Sequence, residues 1–429
     1  MFGFANFLLL ALFAAAVFDL IFALARGGGL RGALHGLWNT PHLLFGQQLA
    51  EWRLQLGRIL FAAGLAAYEI SVVFCNSMAR QNWAWVQGVM SPVLEWLAFL
   101  CFGAKILFGT RYTWWELLAS GALYFIARWV YFNSQNIWWI GIVVAVLAAK
   151  DVPLRRPLQI YFASGCAAMA VVLALHFAGI VAPDLTSERM GALRGTYGYG
   201  HPNTFGGLVF GLVLAYALLR AQKVRWVDCL LVFAVGVFLL VGPASRSAAL
   251  CTLALAVGLV FCRLRAGHSV PRWWPGTCAG MVGLTAAVSY LLPLLVIKVG
   301  PWNNDIGPAW LAKLDSLLTC RISLTWMAYR LLDVKIAGQV FNWPTVDNSF
   351  AFALFQFGPV VAALLGILFA AALWGHAKQG RRVEVYCLFA MLAYAYMEVQ
   401  PFHLTTNPTA LLLCGAVFAQ TSARWQKIE

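Results

Sequence analysis

Between two long apolar segments of this chain runs Arg194-Gly195-Thr196-Tyr197-Gly198-Tyr199-Gly200-His201-Pro202-Asn203. Its alternating glycines free the backbone for positive φ and for the exposure of consecutive N–H groups. Pro202 suits the first turn of a following helix, which puts His201 and Asn203 at that helix's N-terminus. Arginine, backbone N–H groups and a helix N-terminus then converge in one place, and that combination holds anions. A diphosphate is the candidate anion. The competing reading is a solvated loop whose polar residues only cap the helix.

Other residues have types suited to the same chemistry. Ser245-Arg246-Ser247 lies between two apolar segments. An arginine in that setting faces a cavity or a partner, or snorkels to the interface. Arg321 belongs to an amphipathic stretch over 317–329, and Arg330 falls on its solvated face. Asp347 and Asn348 open the next apolar segment, where capping alone would justify their residue types. Glu398, Gln400, His403 and Asn407 surround Pro401 and Pro408, read as the outer end of a hairpin. A carboxylate in an apolar segment, as at Glu398, is functional by default. His201, Asp347, Glu398 and His403 are the side chains able to act as a general acid or base, and geometry decides among them. The ten cysteines fall mostly in apolar segments, with Cys320 alone in a long polar loop. No C-x-x-C or Cys/His pair has metal spacing, so neither a disulfide framework nor a metal site is expected. No cofactor is expected either.

The elements that must position these residues are membrane helices. Of the chain's 429 residues, 62% are hydrophobic and 11% charged, against roughly 25% charged in soluble domains. That composition specifies an all-α polytopic integral membrane protein. A spanning helix needs about 20 apolar residues. Thirteen candidates meet or approach this, within an expected 12–14: 5–25, 58–77, 88–108, 115–132, 136–149, 157–183, 203–221, 226–243, 246–263, 273–297, 348–374, 384–401 and 408–423. The first reads as a retained helix, because it lacks a charged n-region and a small-residue cleavage site. Region 26–57, with His42, Gln47, Gln48 and Trp52, is either an amphipathic surface helix or a further pass.

The +14 charge is scattered in small groups, which is the pattern of membrane loops and does not suggest nucleic-acid binding. Twenty of the thirty Lys and Arg residues lie on one alternate set of connectors, and the richer side is cytoplasmic. Loops 184–202 and 298–347 then face outward. The chain reads as one membrane domain, with N-terminal helices over 1–183 and a C-terminal half, 184–429, carrying both loops. Every candidate residue above falls at the same outer face. Asp19, Glu69 and Glu95 lie in spans elsewhere, and pairing of Glu69 and Glu95 with nearby basic residues is open.

From about 180 to 425 the chain resembles the Wzy-type bacterial polysaccharide polymerases, within the O-antigen ligase and polymerase superfamily. The residues that carry the resemblance are Gly198-Tyr199-Gly200-His201-Pro202-Asn203 with Gly206, the Ser245-Arg246-Ser247 step, and Arg321-Ile322-Ser323 with Trp326. Asp347-Asn348-Ser349 followed by Gly358, and the stretch from Glu398 to Asn407, complete it. Ligases of the superfamily typically carry histidine where this chain has Asp347, with ten residues between it and Gly358. That difference argues for polymerase over ligase. Eleven residues separate Arg194 from Gly206, one more than some polymerases have between these positions.

The resemblance implies a fold like that of the GT-C glycosyltransferases and a bacterial cytoplasmic membrane location. It implies glycosyl transfer at the outer face, from a polyprenyl-diphosphate-linked oligosaccharide donor to an acceptor of the same kind. Membrane lipids would surround the protein, and a chain-length regulator is a possible partner. Arg194, Arg246 and Arg321 would stabilise the leaving diphosphate, without metal. Tyr199, Asn203, Asn348 and Asn407 would complete the substrate site. The rival readings are a ligase passing glycan to a lipid or protein acceptor, and a flippase or transporter. A transporter should place its ionisable groups near the bilayer midplane.

Overall fold

The computed structural model describes residues 2–25, 29–45, 50–181, 187–189, 192–297 and 307–418. The protein is 76% helical. Among the described residues, eight helices are long and apolar enough to cross a membrane. In chain order the helices are α1 (Phe2–Ala25), α2 (Gly29–Asn39), α3 (Ala50–Cys75), α4 (Ala79–Asn82), α5 (Ser91–Phe108), α6 (Trp114–Ser134), α7 (Ile137–Ala148), α8 (Arg155–Phe177) and α9 (Pro202–Leu219). They continue as α10 (Trp226–Val241), α11 (Arg246–Leu264), α12 (Trp274–Leu291), α13 (Ala309–Leu317), α14 (Arg321–Leu331), α15 (Ser349–Phe352), α16 (Pro359–Lys378), α17 (Arg382–Met397) and α18 (Cys414–Val417).

Local chemistry sets several of these boundaries. Thr113 opens α6 with a capping box: its hydroxyl accepts from Glu116 N at 3.2 Å, and Glu116 Oε2 accepts from Thr113 N at 2.9 Å. His201 caps α9 and Pro202 takes its first position, as residue types at a helix start dictate. Region 26–57 resolves into two parts. The 11 residues of α2 rise only about 16 Å, too little for a pass, so α2 is the surface helix. The following span begins at Ala50 and not at 58. Gln47 and Gln48 lie outside the described residues. Two short antiparallel pairs were not legible in the sequence: β1 (His42–Leu43) with β2 (Arg111–Tyr112), and β3 (Ser187–Arg189) with β4 (Ala192–Arg194).

The expected hairpin forms, but its returning arm is not a regular helix. After α17 the chain turns at Glu398–Gln400 and comes back through the bundle as two 3-10 stretches, Gln400–Phe402 and Pro408–Leu413, and then α18. Phe418 ends 5.2 Å from Lys150 Nζ, at the end of the bundle where α8 begins. Thr405 accepts a hydrogen bond from Tyr161 of α8 on the way.

Backbone that is unwound at membrane depth must be satisfied by the protein itself. Here it is. Thr406 Oγ1 donates to the Gln400 carbonyl at 2.5 Å, and Asn407 Nδ2 donates to the Pro401 carbonyl at 2.9 Å. Asn407 Oδ1 accepts from Ala410 N at 3.1 Å and from Thr409 Oγ1 at 2.5 Å.

The glycines of α9 make room for this segment. A Cβ on Gly207 would overlap the Gln400 amide, and one on Gly206 would overlap Ser245. A Cβ on Gly211 would lie 2.7 Å from the Thr405 carbonyl oxygen and 3.0 Å from Thr406 Cα. Gly211→Ala is therefore expected to destabilise the protein by about 1–3 kcal/mol, the usual range for overpacking. Gly280→Ala, within α12 and with nothing inside 4 Å of its would-be Cβ, should be neutral or slightly stabilising. Thermal unfolding of both variants in detergent checks the pair, and equal effects would mean that the close approach at Gly211 does not matter.

Candidate functional site

Arg321 owes its direction to an unusual turn. Thr319 and Cys320 both have left-handed backbones, with φ of 58° and 65°. Such a conformation costs of order 1–3 kcal/mol per non-glycine residue and persists only where surrounding structure enforces it. Asp315 enforces it. Its carboxylate, wholly buried, accepts from Ile322 N at 2.8 Å, Ser323 N at 3.2 Å and Ser323 Oγ at 2.8 Å. It thereby satisfies the free N–H groups that open α14. Arg321 Nη1 donates to the Leu318 carbonyl at 2.9 Å and to Thr319 Oγ1 at 2.5 Å, which locks the guanidinium facing the bundle.

That guanidinium meets a carboxylate 77 residues further along the chain. Arg321 Nη2 donates to Glu398 Oε1 at 2.7 Å and lies 3.4 Å from Ser247 Oγ. The same Glu398 oxygen accepts from Asn203 Nδ2 at 3.0 Å. Asn203 Oδ1 in turn accepts from Arg194 Nη2 at 2.9 Å, and Arg194 also reaches the Ala244 carbonyl at 3.2 Å. Ser349 Oγ holds the Glu398 backbone carbonyl at 2.5 Å. Asp347 Oδ2 stands 3.9 Å from Arg321 Nε, with its side chain 33% exposed. Glu398, Arg194 and Arg321 are 5%, 6% and 8% exposed. The glycine-rich turn, the start of α11, the start of α14, the start of α15 and the end of α17 thus converge on one arginine–carboxylate unit.

The electrostatics follow from burial. Glu398 lies past the last helical residue of α17. Burial pushes its carboxyl up to about 7, against the pull of Arg321 and with the added push of Asp347. A group balanced there exchanges its proton near neutral pH, as acid–base chemistry requires. The arginines fix positive charge beside it in a site largely closed to water, where such charge acts strongly.

Several expected members take other places. His403 packs against Trp138 with the rings tilted, centroids 3.8 Å apart, within the unwound segment. Asn407 spends its amide on that segment's backbone. Asn348 caps α15, accepting from Phe350 N at 2.9 Å and Ala351 N at 3.1 Å, and donates to Ser289 of α12 at 3.1 Å. Tyr199 is fully buried against Phe205, with its backbone bridged to Ser77. Of the three glycines around it only Gly198 is left-handed, at φ 82°, and it packs on Val172 and His176 of α8. That turn docks two helices together more than it presents N–H groups.

His201 is exposed, its Nδ1 accepting from Asn203 N at 3.1 Å. Arg246 is exposed on the first turn of α11. Arg330 is exposed as well, over the Trp326 ring at 5.6 Å, in keeping with a solvated face. Glu69 forms no ion pair among the described residues and lies buried beside Gly165. Asp184 and residues 298–306 lie outside the described residues. Asp315 was missed because it sits inside α13 and not at a helix start. Its signal was an acidic residue just ahead of an arginine-headed helix.

Comparison of the chain with protein-family models, curated proteins and solved structures finds no match to any of them.

Removing one member of a buried ion pair strands the other, at a cost of about 3–5 kcal/mol. Arg321→Met and Glu398→Leu should each destabilise by that order. The double variant should be more stable than either single one, because no uncompensated charge remains. Unfolding of the four proteins in detergent measures this. A double variant worse than the sum of the singles would show that the two groups do not act as a pair.

Proposed function

We propose that this protein is a glycosyltransferase which joins polyprenyl-diphosphate-linked oligosaccharide units into a longer glycan, in the manner of the Wzy-type polymerases. The observation that carries the reading is the Arg194–Asn203–Glu398–Arg321 chain of hydrogen bonds at one end of the helices. It gathers the motif residues that carry the family resemblance, which lie far apart in sequence. In this reading the acceptor hydroxyl oxygen attacks the anomeric carbon of the donor. The bond from that carbon to the diphosphate oxygen breaks, and the lipid diphosphate leaves with the electron pair. Negative charge grows on the leaving group, and preplaced arginines stabilise it more as the bond lengthens. Arg321 and Arg194 are aimed by neighbouring residues, and Arg246 stands one residue from Ser247 at the same end. Glu398 takes the acceptor proton. Asp347, half-exposed on the outer side of Arg321, orients the acceptor.

One observation favours the rival transporter reading: broken helices line the sites of many carriers, and residues 398–418 are broken. Past Glu398, however, the hydrogen bonds of Gln400, Thr406 and Asn407 go to that segment's own backbone and to Tyr394 and Asn203, which leaves the arginine–carboxylate unit at the helix ends as the better candidate for chemistry.

Purified protein given a synthetic polyprenyl-diphosphate repeat unit should form longer glycans without ATP and in the presence of EDTA. Arg194→Ala, Arg246→Ala and Arg321→Ala should each cut that rate by about 10²-fold or more, with only partial rescue by lysine. Arg330→Ala should change it little. Silence of Arg321→Ala would remove the basis of the reading.

The rate also has a predicted pH dependence. A base must be deprotonated, so kcat/KM should fall as pH drops below about 7. Glu398→Gln should abolish that limb while Asp347→Asn keeps it. If Asp347→Asn is the variant that loses the limb, Asp347 is the base.

Orientation has its own check. Cys320 is exposed beside the site, so a chain retaining only this cysteine should react with a membrane-impermeant thiol reagent on intact cells. Reaction only after permeabilisation would place the site on the inner face.

A further inference from the structure

At the end of the bundle opposite Arg321, the start of α8, the ends of α9 and α11, the start of α17 and the turn after α16 enclose a cavity of about 920 Å³. Arg155, Arg220, Lys223, Arg263, Arg381 and Arg382 line it, and Glu384 is the one carboxylate among the lining residues. A second carboxylate, Asp228, sits beside it and receives Arg220 Nε at 3.1 Å. Arg382 is held at the rim by backbone carbonyls: Nη2 donates to His268 at 2.6 Å and to Ser269 at 3.3 Å, and Nη1 donates to Arg265. Those carbonyls orient the guanidinium without cancelling its charge.

The positive-inside rule asks only that basic residues occupy the loops on this side. It does not require cations from four separate segments to converge on one hollow, where like charges repel. Convergence of that kind is relieved by a bound anion. Phosphate is the matching chemistry, because arginine forks pair with its oxygens two at a time. The hollow is much larger than one phosphate, it lies at the ends of the helices, and Leu158 and Leu219 form part of its wall. A lipid supplies both parts: phosphate for the cations and chains for the leucines. Basic pockets between helix ends on the cytoplasmic side suit anionic headgroups.

We propose that this hollow is a binding site for the headgroup of an anionic phospholipid from the leaflet opposite the Arg321 site. The proposal does not depend on the glycosyl-transfer reading.

The test uses the whole protein, purified in a neutral detergent and stripped of lipid. It is titrated separately with cardiolipin, with phosphatidylcholine and with inorganic diphosphate, and bound lipid is counted by mass spectrometry of the intact complex. Cardiolipin should bind and raise the unfolding temperature, while phosphatidylcholine should do neither. Arg155, Lys223 and Arg263 are all exposed and lie far from the Arg321 unit. R155Q/K223Q/R263Q should keep the lipid-free unfolding temperature and weaken cardiolipin binding about tenfold or more. K223Q alone should give a smaller loss in the same direction, which keeps the test decisive if the triple variant folds poorly. Equal cardiolipin affinity in wild type and variants would overturn the proposal, as would equal binding of phosphatidylcholine. Displacement of cardiolipin by inorganic diphosphate at matched phosphate concentration would overturn the lipid assignment and leave a soluble phosphate as the ligand.

Discussion

A carboxylate and a guanidinium, each almost wholly buried, meet 2.7 Å apart at the end of an apolar helical bundle. Neither can be left alone there, because an unpaired buried charge costs several kcal/mol. Arg321 and Glu398 therefore constrain each other, and through each other they constrain the segments that carry them. The left-handed turn at Thr319 and Cys320, the buried Asp315 beneath it and the Ser349 hydroxyl on the Glu398 backbone all serve to bring this pair into register. Asn203 and Arg194 extend the same network to the glycine-rich turn.

A second constraint acts along the bundle. The chain after Glu398 crosses as unwound backbone, and apolar surroundings offer such backbone no water. Thr406, Asn407 and Tyr161 supply the missing partners. Gly211 lets α9 pack against the backbone of that segment, and Gly207 makes room for the Gln400 amide. Several of the helices that hold the arginine–carboxylate unit at one end thus pack against the segment threaded beside them. At their other ends they surround the basic hollow.

Helix positions, the membrane class and most candidate residues were legible in the chain itself. Apolar runs near 20 residues and capping residues are local signals, and among the described residues eight helices are long and apolar enough to span, against the thirteen segments expected. Arg194, Asn203, Arg321, Asp347 and Glu398 stood out because polar residues bordering apolar sequence are costly without a purpose. What could not be read was which of them meet. Glu398 is 77 residues from Arg321 and 195 from Asn203, and no periodicity encodes contacts at such separations.

The tertiary structure alone decided three matters. Pro401 and Pro408 read as part of a hairpin because proline ends helices locally, and only the fold shows that the returning arm crosses as 3-10 and irregular backbone, because distant side chains satisfy it. Tyr199, Asn348 and His403 carried polar groups suited to a site, but packing gave them structural work as core filler, helix cap and aromatic packing partner. Asp315, unremarkable in sequence, became the support of the arginine turn. The amino-acid sequence determined which segments leave water and which residues are too costly to bury idle. Only the folded bundle determined how their charges and backbone groups are paired, because pairing is a property of three-dimensional proximity and not of order along the chain.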